Sequence, residues 1–175
     1  MAYSPSCKSL IQFLFFRASD FQLVLHPSIQ IFKDGHYSSA FLTSSLSSNH
    51  NCQLLLLQEG VHLTATTLLL KNLQESEKSS IFYLRIISNL INETTGEAAF
   101  QLLNHTTSIG NLPVKTLHKC LELIFNSNEQ YLIKESFWLL GNLLNHSNQK
   151  VRELLFESGI LKDFESMIAD KRNYL

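Results

Sequence analysis

Residues 135–145 read E-S-F-W-L-L-G-N-L-L-N, and this helical pattern decides the fold. At about 100° per residue, the apolar side chains in and just before it form one wide face that is predicted to be buried. That face contains Leu132, Ile133, Phe137, Leu139, Leu140, Leu143 and Leu144. The opposite face carries Glu135, Trp138, Asn142 and Asn145. Trp138 and Asn142 lie one helical turn apart, so their side chains are neighbours on the polar face.

A second segment, residues 81–92, reads I-F-Y-L-R-I-I-S-N-L-I-N and repeats this design. Its predicted core stripe consists of Leu84, Ile87 and Ile91. On the other face, the places of Trp138, Asn142 and Asn145 are taken by Arg85, Asn89 and Asn92. The sequence therefore contains two copies of one helix.

The composition limits the classes of function. Hydrophobic residues make up 45% and charged residues 17% of the 175 residues, which indicates a folded, helix-rich chain. A net charge of −1 argues against a nucleic-acid partner, because proteins that bind phosphates are usually basic. The three cysteines form no CxxC pair, which excludes a zinc ribbon and favours a reducing compartment.

The apolar run from Leu10 to Phe16 is too short to cross a bilayer, and Gln12 interrupts it. We therefore predict a helix there rather than a signal peptide, with another helix near Phe21–Leu25. No other stretch indicates a membrane partner.

Glycines indicate a repeat. Gly60, Gly110 and Gly159 are spaced by 50 and 49 residues, and each is predicted to end one helix and redirect the chain. Each unit is predicted to contain a short helix, a glycine corner, a second helix, a polar loop and a longer third helix. In the central unit the predicted helices are Gly96–Leu103, Leu112–Phe125 and Gln130–Asn145.

Units of this kind stack into a solenoid, because each has a face that it cannot bury alone. The predicted fold class is all-α, since no stretch shows sustained strand alternation. Residues 1–35 are predicted to form an N-terminal helical segment, residues 36–169 an array of about three to four units, and residues 170–175 a tail. His36–Ser47 is predicted to be the third helix of an earlier unit, with Phe41 and Ser45 in the positions that Trp138 and Asn142 hold in the later helix. Val151–Ala169 supplies two helices of a later unit.

Residues 134–164, K-E-S-F-W-L-L-G-N-L-L-N-H-S-N-Q-K-V-R-E-L-L-F-E-S-G-I-L-K-D-F, resemble an armadillo repeat of the importin-α type. The segment Y-L-R-I-I-S-N-L-I-N resembles the repeat in which arginine replaces the tryptophan. The resemblance covers residues 40–168 and extends to the transmembrane and coiled-coil domain-containing protein 6 family.

Two features depart from this resemblance. Asn142 follows Asn89 by 53 residues, more than the roughly 40–47 of armadillo units, which predicts an insertion within Asn104–Asn111. Phe41 and Ser45 do not match the Trp/Asn pattern.

The resemblance implies a right-handed solenoid of three-helix armadillo repeats. In importin-α, the corresponding asparagines line a concave groove that holds an extended basic peptide. By that resemblance the groove residues would be Trp138, Asn142, Asn89, Arg85, Glu135 and Asn145. Glu135 would be an acidic neighbour of a lysine, whereas Arg85 would favour an acidic group or block a basic one.

Two functions follow from this resemblance. The first is an adaptor for nuclear-localisation peptides, acting in the cytoplasm or nucleus, for which the resemblance implies an importin-β-type receptor. The second is an armadillo scaffold that binds proteins without recognising localisation signals, in which the asparagines and Trp138 only stabilise the stack.

Catalysis is not indicated. The seven histidines form no HExxH motif, and no GxSxG, Walker or GxGxxG motif occurs. We therefore expect no enzyme activity, cofactor or metal, and no pocket that gathers titratable groups.

Overall fold

The computed structural model describes residues 29–34, 37–75 and 80–172. The helices predicted near Leu10–Phe16 and Phe21–Leu25 lie outside these residues. Residues 29–33 are helical, and the last helix continues to Arg172, into the segment that was predicted to be a tail.

The described part of the chain is mostly helical, with two short strands. The helices are α1 (Tyr37–Ser47), α2 (His50–Gln58), α3 (Val61–Glu75), α4 (Ser80–Leu90), α5 (Glu97–Asn104), α6 (Thr116–Phe125), α7 (Gln130–Leu144), α8 (Gln149–Glu157) and α9 (Ile160–Arg172). The strands are β1 (Thr106–Ile109) and β2 (Leu112–Lys115). Helices thus predominate as predicted, and α1 lies where the earlier third helix was expected.

Helices that hold the same position (first, second or third) in successive units pack against one another. The third helices α1, α4 and α7 stack in that order, so that α4 lies between the other two. The second helices α3, α6 and α9 form another row, and the first helices α5 and α8 are in contact. This arrangement brings the polar faces of residues 81–92 and 130–145 side by side.

The central unit contains a β-hairpin that the sequence analysis missed. Strands β1 and β2 pair antiparallel, with Thr106 opposite Lys115 and Ile109 opposite Leu112. The prediction that a helix begins at Leu112 was wrong, because residues 112–115 form β2 and α6 begins at Thr116. The extra length expected within Asn104–Asn111 is this hairpin, which extends past the predicted range.

Gly110 was predicted to form a helix corner, and this was wrong. It lies between the two strands, with φ of 61°. Gly60 and Gly159 do separate first and second helices, with φ of 68° and 80°. A fourth glycine, Gly96, has φ of 83° at the start of α5. A Cβ there would lie 2.8 Å from Val151 Cγ2 and 2.9 Å from Asn148 Nδ2. Gly96 therefore allows the close approach of successive units.

Helix α4 buries the stripe that its sequence predicted, since Leu84, Ile87 and Ile91 are all fully buried. Helix α7 differs. Its buried residues are Ser136, Leu139, Leu140 and Leu143. Phe137 and Leu144, which were placed in the core, are 41% and 37% exposed.

The reason for this difference is the position of each helix in the stack. Phe137 and Leu144 occupy the places of Leu84, on α4, and Ile91, just after it, and α4 is packed between α1 and α7. Helix α7 packs closely against α4, and the described residues contain no further third helix beyond α7. The Phe137 ring instead packs at 6.4 Å from Phe125 and 5.0 Å from Phe164, measured between ring centroids.

Loops also join the units. Asn148 accepts a hydrogen bond from Lys150 N at 3.0 Å and so caps α8, while its Nδ2 donates to Thr95 O at 2.7 Å. His146 Nε2 lies 2.9 Å from Glu93 O. The loop after α7 is thereby fixed to the equivalent loop after α4.

The two described cysteines, Cys52 and Cys120, are buried free thiols. Burial raises the pKa of the Cys52 thiol to about 11 and also raises the pKa of Cys120. Both thiols are therefore protonated at neutral pH, and the reducing compartment stays a prediction.

Gly96→Ala is expected to lower the free energy of unfolding by about 2–4 kcal/mol. The new methyl group would clash with Val151, and an alanine is also strained at positive φ. Gly110→Ala is the matched control, since a Cβ at Gly110 meets nothing within 4 Å. It should cost only about 1–2 kcal/mol. Urea denaturation of both variants measures this difference, and equal losses would contradict the packing role of Gly96.

Candidate functional site: a groove across the third helices

A groove of about 440 Å³ crosses the stacked third helices. It is lined by Ser44 and Ser48 from α1, Arg85 and Asn89 from α4, and Lys134, Glu135 and Trp138 from α7. Four of the six predicted site residues are therefore brought together. The structure does not place Asn142 or Asn145 in its lining.

Trp138 is the most prominent apolar side chain of the groove. It is 49% exposed, although it is a large aromatic residue in a helix that packs against a neighbour. Its ring is thus neither sealed inside the stack nor excluded from the groove. An accessible indole can stack on a peptide side chain and donate a hydrogen bond through Nε1–H.

An ion pair crosses the groove between the two repeated helices. Arg85 donates to Glu135 Oε1 from Nη2 at 2.7 Å and from Nε at 3.0 Å. The Glu135 side chain is 15% exposed, and that of Arg85 is 43% exposed. Glu135 was predicted to be an acidic neighbour for a lysine, but its carboxylate already binds a cation of the same chain.

Two of the three asparagines that were predicted to line the groove bond to a neighbouring third helix instead. Asn142 Nδ2 donates to Ser88 O at 3.2 Å, and Asn89 Nδ2 donates to Ser47 Oγ at 3.0 Å. Both amides thus link one third helix to the previous one. Asn145 Nδ2 donates to Gly141 O of its own helix at 2.9 Å. These amide donors therefore stabilise the stack.

Helix α1 lacks the Trp/Asn pair and fills its end of the groove differently. Phe41 packs edge-on against Phe82, with ring centroids 5.5 Å apart, and Ser45 Oγ donates back to Phe41 O. Ser44 and Ser48 line the groove instead. Together with Lys134, they were missed because the helical wheel of one segment does not show how neighbouring helices are staggered.

A second cavity, of about 700 Å³, lies between α2, α5, the start of α3 and the loop after α4. The titratable side chains in its lining are His50, His62, Glu93 and Glu97. The expectation that no pocket gathers titratable groups was therefore wrong. No sequence motif indicated this cavity, since its residues come from four separate segments.

The groups in this cavity serve the local structure. Glu93 accepts hydrogen bonds from Thr95 and from Ala98 N, at the start of α5. Glu97 Oε1 accepts a hydrogen bond from Gln101, whose Oε1 lies 2.9 Å from His62 Nε2. His62 is 1% exposed, and its Nδ1 has no hydrogen-bond partner. Burial lowers the pKa of His62, more than the hydrogen bond with Gln101 raises it.

Within the described ranges, no group of three or more His, Cys, Asp or Glu side chains is arranged to hold a metal ion. Nor does any helix in those ranges combine the length and apolar character needed to cross a membrane.

Comparison of the chain with protein-family models, curated proteins and solved structures gave no match. The resemblance to importin-α repeats therefore depends on the residues quoted above, and the groove must be interpreted from its own chemistry.

The stability of the protein is expected to fall as pH decreases below about 6.5, the ordinary pKa of histidine in the unfolded chain. Since the pKa of His62 is lowered in the fold, the unfolded chain takes up the proton first. Urea midpoints between about pH 5 and pH 8 measure this loss, and His62→Gln should flatten the profile. His50→Gln, at an exposed position of the same cavity, is the control. If His62→Gln left the pH profile unchanged, the loss of stability at low pH could not be assigned to His62.

The ion pair between Arg85 and Glu135 is expected to contribute a coupling free energy of about 0.5–1 kcal/mol, since it is partly exposed. A double-mutant cycle with Arg85→Gln and Glu135→Gln measures it, and the coupling should decrease in about 0.5 M salt. The pair Lys119–Glu122, on the surface of α6, is the control and should couple more weakly. Zero coupling between Arg85 and Glu135 would show that the two helices do not depend on this contact.

Proposed function

We propose that this chain is a non-enzymatic protein-binding module, a right-handed solenoid of armadillo-type repeats that holds an extended peptide in the groove across α1, α4 and α7. The observation that supports it most is the groove itself, which collects Arg85, Asn89, Glu135 and Trp138 from two repeated helices. The solenoid is supported by the packing of first helices on first, second on second and third on third.

An extended peptide fits this groove because its walls offer side chains at intervals along the stack. Trp138 provides an aromatic surface that is worth roughly 0.5–2 kcal/mol toward a cation. Asn89 lies in the lining with its Nδ2 bonded to Ser47, and its amide oxygen can accept a peptide N–H.

A second candidate function is a scaffold that binds other proteins without holding a peptide in the groove. It is favoured by the hydrogen bonds of Asn89 and Asn142, whose amide nitrogens both link neighbouring helices. In that case the polar face serves the stack alone. An import adaptor with an importin-β-type receptor, in the cytoplasm or nucleus, is implied by the resemblance alone.

Binding of labelled extended peptides tests the peptide function. Three peptides of equal length, one rich in lysine, one rich in glutamate and one of serine and alanine, are titrated by fluorescence anisotropy. At least one should bind, and Trp138→Ala should weaken it about tenfold because the exposed indole lies in the groove. The double variant Trp138→Ala/Asn142→Ala tests whether Asn142, which bonds to Ser88 O, also contributes to binding.

Asn145→Ala is the matched control, since this asparagine lies on the same helix but bonds only within it. Its affinity should stay within about twofold of the wild type. Circular dichroism confirms that each variant is folded. If no peptide binds, or if Trp138→Ala binds as well as the wild type, the scaffold function replaces the peptide function.

A further inference from the structure

The charges in the groove are not equally accessible to a ligand. Glu135 is the one carboxylate in the lining, and its side chain is 15% exposed. Arg85 is 43% exposed, and Lys134 is also exposed. A ligand that enters the groove therefore meets two exposed cations, while most of the Glu135 side chain is buried.

The carboxylate of Glu135 is also engaged. Both contacts from Arg85 reach the same atom, Glu135 Oε1, at 2.7 and 3.0 Å. A lysine from a basic peptide would have to compete with this guanidinium for the carboxylate, or lie beside it and repel it. The groove thus disfavours the basic ligand that the resemblance implies.

The remaining hydrogen-bonding groups are mostly donors. A guanidinium has five N–H donors, and Arg85 directs two of its nitrogens at Glu135, so others stay available. The Lys134 ammonium forms no hydrogen bond or ion pair with any residue in the described ranges. The exposed indole of Trp138 adds another donor. A ligand rich in acceptors would satisfy these groups.

We propose that the groove binds an extended peptide bearing aspartate or glutamate side chains, with one ligand carboxylate at Lys134 and another at the free N–H groups of Arg85. This inference depends on the proposed function, because it specifies the ligand of the same groove. Peptide carboxylates fit better than a phosphate backbone, since the chain has a net charge of −1 and the groove holds only two cations.

The fluorescence of Trp138 provides a direct measurement, because it is the only tryptophan and lies in the groove. Three peptides of matched length are titrated, with glutamate, glutamine or lysine at the same alternate positions. The glutamate peptide should bind about tenfold tighter than the lysine peptide, and the difference should shrink in about 0.5 M salt. A single-stranded oligonucleotide of similar length is included as an alternative anion.

Charge variants locate the ligand. Lys134→Glu should weaken the glutamate peptide about tenfold or more, because it replaces attraction by repulsion. Glu135→Gln should strengthen it, because Arg85 then turns its full charge toward the ligand. Lys150→Glu is the matched control, since it makes the same charge change at an exposed position on α8. Its affinity should match the wild type.

The outcomes separate this inference from the proposed function. If no peptide changes the emission of Trp138, both are overturned. If a peptide binds but the lysine or glutamine form binds most tightly, the acidic ligand is wrong and the peptide function is retained. Tighter binding of the oligonucleotide, or equal losses in Lys134→Glu and Lys150→Glu, would also overturn the acidic peptide. Selective loss in Lys134→Glu supports it.

Discussion

The stacking of α4 between α1 and α7 is the constraint on which the rest of the structure depends. A helix with apolar side chains at Leu84, Ile87 and Ile91 cannot bury them alone, and here all three are fully buried. The same stacking brings Arg85 to Glu135 and Asn142 to the carbonyl of Ser88. Burial of apolar surface therefore supplies the free energy, and the polar contacts determine how the helices align.

Sequence periodicity predicted the helices well, because each buries a face at helical spacing. It did not predict the hairpin of residues 106–115, because T-T-S-I contains a single apolar residue and L-P-V-K contains a proline. The Gly110–Asn111 pair between two short β-prone runs was the available signal. It was interpreted as a helix corner because Gly110 shares its spacing with Gly60 and Gly159. Pro113, which cannot donate to a ladder, is tolerated in this isolated two-stranded sheet.

The helix face that carries the candidate site could be predicted, but the exposure and hydrogen-bond partners of its side chains could not. Periodicity placed Trp138 and Glu135 opposite the core, and both lie in the groove. Which atoms remain free depends on the stagger between helices that are about 50 residues apart in the chain, and one helical wheel does not contain that information. The same limitation explains Phe137 and Leu144, whose apolar character is that of an interior position although no described third helix covers them beyond α7.

The groups around the groove divide into those that the stack engages and those that it leaves accessible. The stack occupies the amide nitrogens of Asn89 and Asn142 and the Oε1 atom of Glu135. Groups that the stack leaves accessible are the indole of Trp138, the ammonium of Lys134 and part of the Arg85 guanidinium. Among the charged groups of the groove, the carboxylate of Glu135 is thus engaged by Arg85, whereas Lys134 and part of the Arg85 guanidinium remain accessible. The proposed preference for an acidic peptide follows from this division, because Arg85, which stands where the other repeated helix has Trp138, pairs with the neighbouring carboxylate of Glu135.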